Sequence, residues 1–72
     1  MRDRFALALR ASRRAKGISQ ESLAAAAGIH RTYMSSIERG KVNVSLEVAG
    51  RLAQALGMKL SELIREVEKS AG

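Results

Sequence analysis

Besides Tyr33, four hydrogen-bonding side chains that do not demand burial are grouped in the segment "RTYMSS", residues 31–36. The spacing of Met34 and Ile37 predicts that both point inward from a helix, which leaves the opposite face to polar groups. A guanidinium can donate two hydrogen bonds to O6 and N7 of guanine, hydroxyls can bond to several bases, and a threonine methyl can pack against thymine. The segment therefore has the chemistry needed to read base edges in DNA, and the candidate base-reading residues are Arg31, Thr32, Ser35 and Ser36.

Arg31 is the expected principal reader. It lies at the start of the predicted helix, which is the half that reaches base edges when such a helix enters the major groove. No acidic residue stands three or four positions away from it along the chain. Its guanidinium is therefore expected to be free for guanine. The alternative is an ordinary solvated arginine without a ligand.

Other residues near this segment are suited to the DNA backbone. Gln20 is expected to begin the preceding helix, where free backbone N–H groups and the helix dipole favour a phosphate, and its amide can add a further bond. Contacts of this kind position a protein on DNA without reading sequence. Tyr33 could equally be a core residue with its hydroxyl at the surface, and Lys41 could simply be solvated. The other predicted backbone contacts are Tyr33, Arg39, Lys41 and Asn43.

The elements that must position these side chains are helices. Proline is absent, the aromatic residues are Phe5 and Tyr33, and alanine and leucine dominate the 46% of apolar residues. This composition favours helices and lacks the β-branched and aromatic residues that strands prefer. The 72 residues are expected to form one all-α domain. A chain of this size buries only about 60% of its unfolded surface, so a partner subunit would help to stabilise it.

Start and stop signals predict five helices. Ser19 and Ser45 are good N-caps for the second and fourth helices, and Gly17, Gly28 and Gly40 are good helix ends. The second and third helices are joined only by a short turn, which is the helix-turn-helix arrangement, although small residues such as the alanines of "LAAAAG" occur at any close helix crossing. The predicted spans are residues 2–15, 20–27, 31–39, 46–56 and 61–69.

The charge distribution favours an anionic partner. The net charge is +6, and residues 1–16 contain six basic residues and one acidic residue, whereas residues 46–72 contain four of each. Phosphate-bearing partners or anionic membranes suit such a surface better than acidic proteins do. A transit peptide is the alternative for the basic start, but that segment runs directly into the globular pattern. Charges interrupt every apolar run, and cysteine is absent, so we expect no membrane contact and a cytoplasmic location.

Enzymatic chemistry is not expected. The chain has one histidine, no cysteine and no grouped inward carboxylates, which leaves no nucleophile, metal site or acid/base pair. We therefore expect no cofactor and no metal. His30 is interpreted as a helix cap or a residue on the phosphate side of the domain.

From Leu9 to Ile64 the chain resembles the Cro/repressor-like (XRE-type) helix-turn-helix family, in the stretches "RRAKGISQESLAAAAGI" and "SSIERGKVNVSLEVAGRLAQALGMKLSELI". Within that family, "RTYMSSIERGKVN" is most similar to the controller proteins of restriction-modification systems, which are small dimeric transcription regulators. The resemblance implies a compact five-helix, lambda-repressor-like fold. It also places Arg31, Thr32 and Ser36 at base-reading positions, and Arg13 and Glu38 at the positions of a salt bridge between the first and third helices.

Four positions depart from the family pattern. Ser12 and Ala49 stand where a large aliphatic residue is usual, which predicts a thinner core. His30 stands where Asp, Ser or Thr usually caps the third helix, so either the cap is weaker or the imidazole serves as the cap. Gly50 lies inside the fourth helix at a cost of about 1 kcal/mol relative to alanine, and could permit close approach of another helix.

The predicted function is sequence-specific transcription regulation by a homodimer that reads a palindromic operator in double-stranded DNA, with RNA polymerase as a further partner if the regulator activates. The dimer is expected to form through the fourth and fifth helices. The competing class is a protein-interaction module with the same fold, but such a module more often exposes aromatic or aliphatic side chains on its binding helix. Candidates for the apolar dimer contact are Val48, Leu52, Met58 and Leu60.

Overall fold

Five helices and the turns between them form residues 2–69, which are the residues that the computed structural model describes. The predicted all-α class and the order of the elements are confirmed. The third and fourth helices each end one residue earlier than predicted, and the fifth begins one residue earlier. The helices are α1 (Arg2–Ala15), α2 (Gln20–Ala27), α3 (Arg31–Glu38), α4 (Leu46–Ala55) and α5 (Leu60–Lys69).

Side chains cap the N-termini of α2 and α4 at the two serines predicted for that role. Ser19 Oγ accepts a hydrogen bond from the backbone N–H of Ser22 at 3.0 Å, and Ser45 Oγ accepts one from Val48 at 3.1 Å. At α5 the cap comes from inside the helix, because Glu62 Oε1 accepts from the backbone N–H of Lys59 at 2.7 Å. That bond extends α5 back to Leu60, one residue before the predicted start at Ser61.

The turn between α2 and α3 depends on a glycine. Gly28 has φ +70°, in the left-handed region that favours glycine, and its backbone N–H donates to the carbonyls of Ala24 and Ala25. The N–H of Ile29 also donates to Ala24 at 3.0 Å. These bonds end α2 abruptly, so that α3 can begin at Arg31 in a new direction.

The core lies where the five helices meet. α1 packs against α3 and α5, α2 packs against α3 and α4, and α4 packs against α5. α2 contributes Leu23, Ala24 and Ala27, which are all buried. The largest fully buried side chains are Leu9, Leu23, Met34, Ile37, Leu52, Leu56, Leu63 and Val67.

The inward face of α4 corrects one prediction about the dimer contact. Leu52 has 0% of its surface exposed, in a stripe with the buried Ala49, Ala53 and Leu56. It therefore stabilises the protomer core and cannot offer an apolar surface to a second chain, so its assignment to the dimer interface was wrong. A Cβ added to Gly50 would meet nothing within 4 Å, so no other helix in the described part of the chain approaches α4 closely at this position.

None of the helices in the described part of the chain is both long enough and apolar enough to span a bilayer.

Candidate nucleic-acid interface

α3 separates an inward apolar side from an outward polar side, as predicted. Met34 and Ile37 are buried in the core. Arg31 and Thr32 are exposed, and Ser35 and Ser36 are partly exposed. The four candidate base-reading residues thus lie on one short helix whose position is held by the core. Their hydrogen-bonding groups are accessible at its surface, with Arg31 and Thr32 in the first turn.

The imidazole of His30 caps the N-terminus of α3. His30 has extended backbone angles, φ −69° and ψ 143°, and its Nδ1 accepts a hydrogen bond from the backbone N–H of Thr32 at 3.1 Å. An accepting Nδ1 places the ring proton on Nε2 in the neutral ring. Of the two alternatives for this cap, a weaker cap or use of the imidazole, the structure shows the second. The bond fixes the backbone beside Arg31 and Thr32, the first two residues of the polar face.

A buried ion pair joins the elements that present this face. Arg13 Nε lies 2.7 Å from Glu38 Oε2, and Arg13 Nη2 lies 3.1 Å from Oε1, which is a two-point contact. The side chains are 14% and 4% exposed. Arg13 Nη1 also donates to the carbonyl of Ile18 at 2.9 Å. The predicted bridge between α1 and the end of α3 is confirmed, and it extends to the turn before α2.

Gln20 joins the same network. Its Nε2 donates to Glu38 Oε1 at 3.1 Å, so the carboxylate of Glu38 accepts three hydrogen bonds from residues of α1 and α2. One amide N–H of Gln20 is therefore directed into the protein. The second N–H of the amide can still donate to a phosphate, so the predicted contact of Gln20 with the DNA backbone stays a prediction. Sequence spacing gave no signal for this bond because the partners are 18 residues apart.

Arg31 has an acidic neighbour that the sequence did not indicate. Its Nη1 lies 3.5 Å from Glu21 Oε2, with the two side chains 67% and 77% exposed. The expectation that the guanidinium stands free of acids was wrong, because it considered only residues along the same helix. The turn at Gly28 places the first turn of α2 beside the first turn of α3. Exposed ion pairs contribute only about 0–1 kcal/mol, so this contact does not hold Arg31 away from a ligand.

The other residues predicted to contact the DNA backbone lie on α3 and in the segment that follows it. Arg39, Lys41 and Asn43 are exposed, and Tyr33 is half-buried against the core, so its ring serves packing as well. The N–H of Lys41 donates to the carbonyl of Ser36 at 3.0 Å, which ties the start of the segment to α3. These cationic and polar groups therefore continue the polar surface beyond the C-terminus of α3.

Three of the four residues proposed for dimer contact keep part of their surface exposed. Val48, Met58 and Leu60 are half-buried on α4, on the turn that follows it and at the start of α5. Leu46, at the start of α4, is 73% exposed and was not among the predicted contacts. Its position next to the capping serine suggested a helix start and gave no information about burial. α4 thus begins with a largely exposed apolar side chain.

Comparison with known proteins agrees with this geometry. Residues 9–63 match the helix-turn-helix family. That span contains α2, α3 and α4 in full, together with the second half of α1 and the first turn of α5. The chain therefore belongs to the helix-turn-helix family.

Individual relatives place the chain more finely within the family. It is 48% identical over 67 residues to "Control protein C.MunI" from Mycoplasma sp, covering 92% of this chain and 90% of that one. The solved structure of the restriction-modification controller protein C.AhdI from Aeromonas hydrophila is similar with a TM-score of 0.83 and 45% identity, over 86% of this chain and 94% of that one. The structure of the clp gene regulator ClgR from Corynebacterium glutamicum is similar with a TM-score of 0.91 and 33% identity, over 96% and 73% of the two chains.

Proposed function

We propose that this protein is a sequence-specific DNA-binding transcription regulator of the restriction-modification controller type, which binds a palindromic operator as a homodimer in the cytoplasm. The observation that carries the proposal is the polar outer face of α3, held on a buried core and on the Arg13–Glu38 pair, in a chain of the helix-turn-helix family. The similarity to two controller proteins supports the subtype.

Base reading is assigned to the exposed first turn of α3. Arg31 would donate both ends of its guanidinium to O6 and N7 of a guanine, the most common specific contact in the major groove. Thr32, Ser35 and Ser36 would add hydroxyl contacts to neighbouring bases, and the threonine methyl can pack against thymine. The exposure of Arg31 and Thr32 supports this assignment, because both can reach a groove without movement of the backbone.

Backbone contacts are assigned to the two ends of this surface. The first turn of α2 carries Gln20 and unpaired N–H groups that favour a phosphate. Beyond α3, Arg39, Lys41 and Asn43 are exposed and can contact phosphates of the nearby DNA strand, and the hydroxyl of Tyr33 can add a further contact. These groups would set the register of the domain on DNA while leaving the choice of sequence to α3.

A second copy is needed to read a palindrome. A two-fold dimer presents two recognition helices about 34 Å apart, which matches one turn of DNA. The half-buried Val48, Met58 and Leu60, with the exposed Leu46, supply apolar surface on α4 and α5 for that contact. RNA polymerase is a further partner if the bound dimer activates transcription.

Selection of bound sites from a random duplex library tests the proposal. The expected result is an enriched sequence with two symmetric half-sites, bound by a dimer in sedimentation. Affinity for random duplex should also fall steeply with salt, since phosphate contacts release counterions. Absence of enrichment together with a flat salt response would contradict DNA binding and favour a protein-interaction module. A monomer at all micromolar concentrations would contradict the dimer alone.

A further inference from the structure

We infer that Glu21 is a specificity-determining residue, which holds the guanidinium of Arg31 for guanine and penalises DNA sequences that offer no guanine there. The inference rests on the proposed function and goes beyond it, because Glu21 is not among the residues that bind DNA directly. It starts from one contact between helices, Arg31 Nη1 to Glu21 Oε2 at 3.5 Å.

The contact joins the two helix ends that would approach DNA together. Glu21 is the second residue of α2 and Arg31 is the first residue of α3. Both side chains are largely exposed, at 77% and 67%, so neither is placed there by burial. Glu21 stands next to Gln20 in the first turn of α2, at the helix end that would receive a phosphate. Any DNA that brings Arg31 to a base edge therefore also brings Glu21 close to the duplex.

The guanidinium of Arg31 can contact guanine and Glu21 at the same time. A guanidinium has five N–H donors in a fixed plane, of which guanine O6 and N7 use two. A carboxylate bound to one of the others restricts the rotation of a long, flexible side chain and orients its plane. In the guanine complex the negative charge of Glu21 is thus matched by Arg31, which remains beside it.

Random DNA gives no such compensation. Without the guanine contact, Arg31 either stays paired with Glu21 or leaves it to reach a phosphate. In the first case the pair contributes no net charge to binding, and in the second the carboxylate faces phosphates unpaired. Like charges brought together at an interface act against the wrong partner. Glu21 therefore lowers affinity for random DNA more than affinity for the operator.

The test compares Glu21→Gln with a matched control, Glu68→Gln. Both changes remove one negative charge from an exposed helix position, but Glu68 lies on α5, which packs mainly against α1 and α4. Dissociation constants are measured for the sequence that the wild-type protein selects and for a random duplex of equal length. Each measurement is made at two salt concentrations and repeated in an Arg31→Ala background.

The expected result is that Glu21→Gln raises affinity for random duplex by about threefold or more and raises operator affinity less, so that the specificity ratio falls by about threefold. Glu68→Gln should leave the ratio unchanged. In the Arg31→Ala background, Glu21→Gln should change both affinities by the same factor, because there is no guanidinium left to hold.

Two outcomes overturn the inference while leaving the proposed function intact. The first is that Glu21→Gln leaves the specificity ratio at its wild-type value, or changes that ratio no more than Glu68→Gln does. The other is an equal loss of specificity with and without Arg31, which would show that Glu21 acts independently of it. If the wild-type protein itself selects no sequence, the proposed function fails and this inference fails with it.

Discussion

Replacement of Glu38 by glutamine is expected to lower the free energy of unfolding by about 2–3 kcal/mol. The carboxylate is buried and accepts hydrogen bonds from Arg13 Nε, Arg13 Nη2 and Gln20 Nε2. Glutamine has nearly the same shape but only one acceptor oxygen, so its amide nitrogen must face another donor. Removal of one partner of a buried ion pair costs about 3–5 kcal/mol, and the bonds that glutamine retains reduce that figure.

The loss should be visible as a large change in melting temperature. For a domain of this size, 1 kcal/mol corresponds to about 4–8 °C, so the expected fall is about 10–20 °C. Urea unfolding followed by circular dichroism gives the free energy, with an unchanged m-value indicating an effect on stability alone. Protein concentration must be held constant, because the stability of a dimer depends on it.

Glu47→Gln is the control for this prediction. Glu47 Oε2 accepts from Arg51 Nη2 at 3.0 Å, but the two side chains are 75% and 49% exposed. An exposed pair of this spacing contributes about 0.3–0.5 kcal/mol. If Glu38→Gln destabilises the protein no more than Glu47→Gln does, the network around Glu38 does not hold α1, α2 and α3 together.

Three further predictions concern DNA binding and the helix cap. Arg31→Ala should cost about 1–3 kcal/mol of operator affinity per half-site and relax the base preference at one symmetric pair of positions, as measured by competition with single base-pair variants of the operator. An unchanged preference at every position would mean that Arg31 contacts a phosphate or makes no contact. Lys41→Ala should weaken binding to all DNA sequences by a similar factor and reduce the slope of log affinity against log salt by about one. A changed base preference with an unchanged slope would mean that the segment after α3 reads bases. His30→Ala should lower the free energy of unfolding, measured by urea titration, by about 0.5–2 kcal/mol because the N–H of Thr32 loses its acceptor. His30→Asp should restore that stability, and equal losses in both variants would exclude a capping role.

Local signals in the sequence were sufficient to predict the helices. Ser19 and Ser45 satisfy the first backbone N–H groups of α2 and α4, and Gly28 supplies the left-handed backbone that ends α2. Such features depend on residues a few positions apart, so they can be recognised without knowledge of the fold. The same holds for the inward direction of Met34 and Ile37, which follows from helical spacing. The start of α5 was misplaced because its cap is made by Glu62 reaching backward, which a serine at position 61 obscured.

The resemblance to a family extended prediction to one long-range contact. Arg13 and Glu38 are 25 positions apart, and their charges alone would not have paired them among 13 basic and 7 acidic residues. The matching pattern of the family indicated the pair, and the structure confirms it with a two-point contact. The participation of Gln20 was missed, since the amide had been interpreted only through its position at a helix N-terminus.

The sequence by itself determined the helices, the serine caps of α2 and α4 and the polar face of α3, because each is set by interactions within one or two helical turns. Only the tertiary structure decided which apolar residues of α4 remain available to a partner and which charges meet between helices. Leu52 and Val48 are equally apolar in sequence, but the angle at which α4 packs on the core buries the first fully and the second in part. Glu21 meets Arg31 because the turn at Gly28 brings two helix ends together, an approach that depends on the path of the chain and not on the spacing along it.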